Sequence, residues 1–317
     1  MKRLNRILFF GIGVALAGSA FRAGERFPRT SEDLGRLLFE DRLLSSDQTV
    51  SCASCHIAAF AFSDTSAVST GVRGQKGTRN TPAITNMSAR SAFFWAGRAG
   101  TLEQQVLQPI QNPVEMDLPL PTALERLRNS ARYRGFFQAI YGRQPDTLTL
   151  ADALASFVRT LETGNTPFDR WMQGNETAMS PSAIRGRQLF MTKAKCFDCH
   201  FSPDFTGDEF RNIGLYDGVI LNDPGRFAVT KDSSDLGKFK VPGLRNIAVT
   251  GPYMHDGAMR TLREVIDYYD QPDRFVSHSY NRDPLLAKPL GLTEQEKQDI
   301  EAFLEALTDD RFASGKK

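Results

Sequence analysis

The chain has 317 residues, of which 41% are hydrophobic and 24% charged, and its formal net charge is +2. At roughly 100–200 residues per domain the length suits two domains, and the composition is that of a soluble globular protein. So small a net charge excludes partners held by bulk electrostatics, such as nucleic acid or an anionic membrane surface.

In chain order, Lys2, Arg3 and Arg6 come first, followed by an apolar run from Ile7 to Ala17 and the small residues Gly18, Ser19 and Ala20. A basic stretch, a short apolar core and a small-residue exit read as a secretory signal over residues 1–20, cleaved after Ala20. The other reading is an uncleaved anchor helix, but the run falls well short of the ~20 residues needed to span a bilayer. No later segment is apolar enough to span. The expectation is an exported protein with no membrane insertion after cleavage.

Two halves follow. Gly35-Arg36-Leu37-Leu38-Phe39 precedes Cys52-Ala53-Ser54-Cys55-His56, and Gly186-Arg187-Gln188-Leu189-Phe190 precedes Cys196-Phe197-Asp198-Cys199-His200. Apolar periodicity predicts a closing helix for each half, at Leu150–Thr163 and at Glu294–Thr308, the second opened by the capping box Thr293-x-x-Glu296. The Pro, Gly and Asn content of Thr166–Pro181 marks a linker. The expected organisation is therefore a first haem domain at 27–165, a linker at 166–181 and a second haem domain at 182–317. With few alternating apolar runs, the fold class should be mainly α, two cytochrome-c-like domains with long loops.

The four cysteines are all used by the two CxxCH motifs, so none is left for a disulfide framework. CxxCH is the attachment pattern of c-type haem. Two thiols one helical turn apart can each form a thioether to a haem vinyl group, and the adjoining histidine then ligates the iron. A redox dithiol would not need the histidine twice. A zinc ribbon would not place its cysteine pairs 144 positions apart. The cofactors are therefore two covalently bound c-type haems on Cys52, Cys55, Cys196 and Cys199, with His56 and His200 as iron ligands. The remaining two axial positions are open to His255, His278, eight methionines, seven tyrosines or nothing at all. An electron-transfer haem has both positions filled, whereas a catalytic one needs a vacancy.

Further motifs follow in order: Gln75-Lys76-Gly77-Thr78-Arg79-Asn80-Thr81-Pro82, Phe93-Phe94-Trp95-Ala96-Gly97-Arg98, Leu102-Glu103-Gln104-Gln105, Pro109-Ile110 and Asn112-Pro113-Val114-Glu115-Met116. In the second half Lys240-Val241-Pro242-Gly243-Leu244-Arg245-Asn246 leads to Thr250-Gly251-Pro252-Tyr253-Met254-His255-Asp256-Gly257. Together these resemble the bacterial di-haem cytochrome c peroxidases, including the MauG-type enzymes, over nearly the whole mature chain. The resemblance implies a periplasmic peroxidase that reduces hydrogen peroxide at the first haem. Glu115 matches the distal glutamate, suited to moving a proton between the two peroxide oxygens, and Gln105 and Pro109 match the other distal-pocket residues. Trp95 matches the tryptophan between the haems. Asn80, with the carbonyls of Thr250 and Pro252, matches a calcium site, a donor set that suits a hard cation.

The resemblance also implies two departures. Many members place an iron-capping histidine where this chain has Val72, so the first haem should be open without prior reduction. Others supply a methionine seven residues beyond Leu262, where this chain has Tyr269, a tyrosine as in MauG-type enzymes. A phenolate there stabilises oxidised over ferrous iron. Tyr268, Met254 and Met259 remain alternative ligands of the second haem. His255 is expected to be structural or to face a propionate, His278 to lie on the surface, and Trp171 to serve packing. The reductant implied is a small cytochrome c or cupredoxin, or a side chain on a partner protein. The competing function is a di-haem electron-transfer cytochrome with both irons six-coordinate.

Overall fold

The computed structural model describes residues 27–315, so the predicted signal at residues 1–20 lies outside the described residues. The fold is mainly α, as expected. In the first half, α1 (Ser31–Glu40) leads to the one-turn α2 (Cys52–Cys55). Then come α3 (Leu102–Gln111), α4 (Leu120–Asn129), α5 (Ala131–Tyr141) and α6 (Thr147–Arg159). The second half holds α7 (Pro167–Met172), α8 (Pro181–Met191), the short α9 (Phe227–Thr230), α10 (Leu262–Asp270) and α11 (Glu294–Glu305). The named strands are the two-residue β1 (Phe210–Arg211) and β2 (Phe239–Lys240), paired antiparallel with Phe210 opposite Lys240. Among the described residues no helix is long and apolar enough to cross a membrane.

Each half has its own core. In the first, Leu34, Leu38 and Phe39 of α1 pack on Leu150, Leu154 and Phe157 of α6. In the second, Phe190 of α8, Phe303 of α11, Phe168 of α7 and Phe205 form an edge-to-face cluster with centroids 5.2–6.1 Å apart. The repeated glycines of the two Gly-Arg segments are what let these pairs close. A Cβ on Gly35 would lie 1.9 Å from the Ala153 carbonyl oxygen, and one on Gly186 only 1.8 Å from that of Asp299. Backbone at that distance cannot yield as a side chain can. Gly186→Ala is therefore expected to lower stability by about 1–3 kcal/mol despite alanine's better helix propensity. Urea denaturation of the holoprotein checks it.

The predicted closing helices are both present, with shifted ends. Asp146 caps α6 through the Thr149 N–H, so that helix starts before Leu150. It stops at Arg159 because Thr163 is bound to Asn86, which donates to its carbonyl at 3.1 Å and accepts from its hydroxyl at 2.6 Å. Helix α11 opens on the Thr293 capping box but ends at Glu305, since the Leu307 carbonyl accepts from Asn246 instead. The segment 166–181, expected as a linker, carries α7. Its Thr166 makes a capping box with Asp169, its Phe168 N–H bonds to the Ala306 carbonyl, and Phe168 and Met179 enter the second core.

A longer internal repeat emerges from the geometry. Phe93 N–H bonds to the Ala99 carbonyl, and 160 positions later Tyr253 N–H bonds to that of Met259. Phe94 and Met254 are both left-handed, with φ of 66° and 73°, as are Gly97 and Gly257. Thr101 and Thr261 then cap α3 and α10. The two halves thus present matching loops, with Trp95 equivalent to His255 and Pro109 equivalent to Tyr269.

Candidate functional site

All six residues of the two CxxCH motifs that were expected to hold haem line one continuous cavity of about 920 Å³. At the first motif Ser51 and Ser54 cap the turn that makes α2, which sets Cys52 and Cys55 one helical turn apart. The His56 Nδ1–H donates to the Phe62 carbonyl at 2.9 Å, and the His200 Nδ1–H donates to the Phe205 carbonyl at the same distance. Both acceptors sit on left-handed phenylalanines, with φ of 59° and 56°, which turns the carbonyl back onto the imidazole. That bond fixes the tautomer and leaves Nε2 with its lone pair free for a metal. Burial pushes both imidazoles below their ordinary pKa, which keeps them neutral as ligands must be.

The cysteines sit in a setting unlike a reactive dithiol. Burial pushes the Cys52 and Cys196 thiols up to about 12 and Cys199 to about 11. A reactive redox cysteine sits where a positive charge lowers its pKa. All four are free, and among the described residues no three His, Cys, Asp or Glu side chains converge as a metal cluster. The cavity suits haem in its charge as well. Of the cations that line it, Arg79, Arg90, Arg211, Lys240 and Arg245 are held in ion pairs, whereas Arg98 and Lys195 have no ion-pair partner among the described residues and are free to meet propionates.

Over the first motif, Gln105 and Pro109 lie one turn apart on α3 and line the cavity with Glu115. Burial pushes the Glu115 carboxyl above its ordinary range, while the Asn112 amide, donating at 2.6 Å, and the Arg98 charge pull it back. The Arg98 guanidinium stacks 3.5 Å over the Phe94 ring and donates to Gln108 at 2.8 Å. Val72 is fully buried, its N–H bonds to the Glu115 carbonyl at 2.8 Å and its carbonyl accepts the Gln75 N–H at 3.1 Å, while its side chain carries no donor atom.

Among the four residues considered for the second iron, two reach the cavity. Tyr269 lines it beside Cys196 and Cys199, and burial pushes its phenol up. Its hydroxyl makes no hydrogen bond among the described residues. Met254 also lines the cavity. Tyr268 is turned away, its hydroxyl donating to the Ile213 carbonyl at 2.6 Å, and Met259 is buried in the small core around Tyr268.

Trp95, Asn80 and His255 join the halves. The Trp95 indole donates to the Asn80 carbonyl at 2.8 Å, the Asn80 N–H donates to the His255 carbonyl at 2.7 Å, and the Lys240 N–H donates to the Trp95 carbonyl at 2.8 Å. The Asn80 amide nitrogen donates to the Ser66 and Ala67 carbonyls, which turns Oδ1 the other way. Asn80, Thr250 and Pro252, the three expected calcium ligands, all line the same cavity. His255 is buried and stacks on Phe239 at 3.8 Å, His278 is exposed, and Trp171 lies half-buried under Arg187.

Comparison with known proteins bears directly on this arrangement. Residues 29–177 match the model of the di-haem cytochrome c peroxidase family, and residues 183–308 match that of cytochrome c. Methylamine utilization protein MauG of Methylorubrum extorquens is 39% identical over 277 residues, covering 86% of this chain and 77% of that protein. Cytochrome-c peroxidase IdrP1 of Denitromonas iodatirespirans is 35% identical over 306 residues, covering 87% and 80%. The chain belongs to the di-haem cytochrome c peroxidase and MauG family. It is a di-haem oxidoreductase with two haem-binding cytochrome c domains. The crystal structure of a MauG-like protein associated with microbial copper homeostasis superposes with a TM-score of 0.78 at 35% identity, covering 89% of this chain and 92% of that one.

Sequence reasoning missed Phe62 and Phe205, Asn112 and Arg98. A phenylalanine five or six residues after each histidine was the available signal for the first pair. The Asn112 contact needed the turn geometry.

Proposed function

We propose that this protein is a periplasmic peroxidase of the MauG-like branch, reducing hydrogen peroxide to two waters with two protons and two electrons. The reading is carried by one observation: a buried carboxylate, Glu115, and a helix face without histidine, methionine or tyrosine, at Gln105 and Pro109, share a cavity with Cys52, Cys55 and His56. When bound through thioethers to the two cysteine pairs, the haems supply the peroxide-binding iron and the path for electrons.

The chain's own residues do the rest. His56 and His200 are held as neutral ligands by the Phe62 and Phe205 carbonyls. Glu115 accepts a proton from one peroxide oxygen and returns it to the leaving one. Val72, buried against the Glu115 backbone, has no donor atom with which to close the site. The Trp95 indole is kept at the junction by the Asn80 carbonyl, where it serves electron passage between the halves. Asn80 Oδ1 with the Thr250 and Pro252 carbonyls, completed by water, suits calcium. The electrons come from a small cytochrome c or cupredoxin, or from a side chain of a partner protein.

Pro109 occupies on α3 the place that Tyr269 occupies on α10, so a haem bound to the second motif would meet a phenol where one bound to the first would meet a proline ring. Tyr269→Phe is therefore expected to alter the ferric spectrum of the second haem and raise its reduction potential, since a phenolate favours oxidised iron. An optical redox titration checks this; an unchanged spectrum and potential would assign the ligand role to Met254. Turnover of hydrogen peroxide by the two-haem protein with a reduced small cytochrome tests the function itself, and absence of turnover with every donor would overturn it.

A further inference from the structure

Asn112 closes α3, and both ends of its side chain are used within one turn. Its Oδ1 accepts the Val114 N–H at 3.2 Å, and its Nδ2 donates to Glu115 Oε1 at 2.6 Å. The two partners fix which way the amide points, because an N–H must meet the oxygen and a carboxylate must meet the NH₂. The backbone locks the same turn, with the Asn112 carbonyl accepting from the Glu115 N–H at 3.0 Å and from the Asp117 N–H at 2.9 Å. Glu115 is thus held at its backbone by Asn112 and Val72 and at its side chain by Asn112.

This matters for a carboxylate that must change protonation state during each turnover. Burial favours the neutral acid, whereas an amide donor favours the anion. The other charged or titratable groups facing Glu115 are Arg98, which favours the anion, and the thiols of Cys52 and Cys55, which thioether formation makes neutral. An amide cannot itself take up the proton. With Oε1 occupied by Nδ2, Oε2 is the oxygen left for proton exchange, so uptake and delivery fall to a single atom.

We propose that Asn112 is the positioning residue for Glu115, holding Oε1 and leaving Oε2 to carry the proton. The inference rests on the reading of Glu115 as the proton-transfer group. It assigns Asn112 a role that serine or aspartate at the same turn would not fill. Either residue can accept the Val114 N–H, but an ionised aspartate has no donor for the carboxylate, and the serine hydroxyl is shorter than the amide that spans both partners.

The test is the pH profile of the optical change that follows stoichiometric hydrogen peroxide, in the holoproteins Asn112→Asp, Asn112→Ser and Glu115→Gln beside the unaltered chain. Asn112→Asp keeps the turn acceptor, removes the donor and sets a second carboxylate against Glu115, so both changes push its acid limb to higher pH. Asn112→Ser adds no charge and is the deciding variant: its acid limb is expected to move to higher pH by up to about one to two units, the worth of a hydrogen bond to a charged group, and its rate at neutral pH to fall by up to about tenfold. The aspartate variant is expected to move the same way by more. A variant with wild-type rate and an unmoved acid limb, while Glu115→Gln is slow, would show that Asn112 only caps the helix and would overturn the proposal. If Glu115→Gln is itself as fast as the unaltered protein, the reading of Glu115 falls and this proposal falls with it.

Discussion

Glu115→Gln is expected to slow the reaction with hydrogen peroxide by about 10²–10⁴-fold, the usual worth of a positioned general acid–base group. Glutamine preserves the length and the hydrogen-bond acceptor that Asn112 engages at 2.6 Å, so the turn at 112–115 should survive. What it removes is the capacity to take and return a proton. The pH dependence separates this from a packing effect. Burial raises the Glu115 pKa, opposed by Asn112 and Arg98, and the carboxylate must be anionic to accept the peroxide proton. The rate should therefore be full above that raised pKa and fall as pH drops through it. Glutamine has no such limb, so the variant's slow rate should be flat across that range. Stopped-flow mixing of the oxidised protein with peroxide at several pH values measures both. A fast variant, or one that keeps the acid limb, would remove Glu115 from the chemistry.

Arg245→Ala is expected to cost about 3–5 kcal/mol of stability, the penalty for taking one partner out of a buried charge cluster. The Arg245 side chain is only 9% exposed; it grips Asp169 with two bonds of 2.9 and 3.0 Å and reaches Asp204 at 3.1 Å. Asp204 would keep Arg90 at 2.8 Å, but Asp169 would be left with Thr166 alone. Burial pushes the Asp169 carboxyl up, and Arg245 together with Thr166 holds it below its usual range. The stability this contributes is present above the ordinary aspartate pKa and is lost as pH falls through the lowered one. At roughly 2–4 °C per kcal/mol for a domain of 150–250 residues, the melting temperature should drop by about 6–20 °C. Calorimetry of the holoprotein near neutral pH gives the answer; a drop below about 2 °C would mean the cluster is solvated and contributes little.

These two sites differ in how far the sequence announces them. The CxxCH motifs were legible because their chemistry is local, with thiols and ligand within five consecutive residues. Their support was not. The carbonyls that orient His56 and His200 come from phenylalanines in a left-handed conformation that no propensity favours. The repeat of Gly35 and Gly186 was visible, but only packing shows that each lets one helix touch the backbone of another. Pro and Gly in 166–181 suggested a linker, while the Arg245–Asp169 pair and the burial of Phe168 fasten it to the second half. The equivalence of Pro109 and Tyr269 was hidden because the loops at 93–102 and 253–262 share a shape more than residues. The resemblance pointed to Tyr269 with Tyr268 as an alternative, and only the fold separates the two, since the Tyr268 hydroxyl is taken by the Ile213 carbonyl.

An iron held by His56 would be open in the resting, fully oxidised protein. The most direct measurement is the optical spectrum of that form before and after one equivalent of hydrogen peroxide. The expected result is a high-spin ferric band that changes at once on mixing, with no reductant added. An entirely low-spin spectrum that ignores peroxide until the protein is half-reduced would contradict it, and would mean that some other side chain closes the first haem despite the valine at position 72.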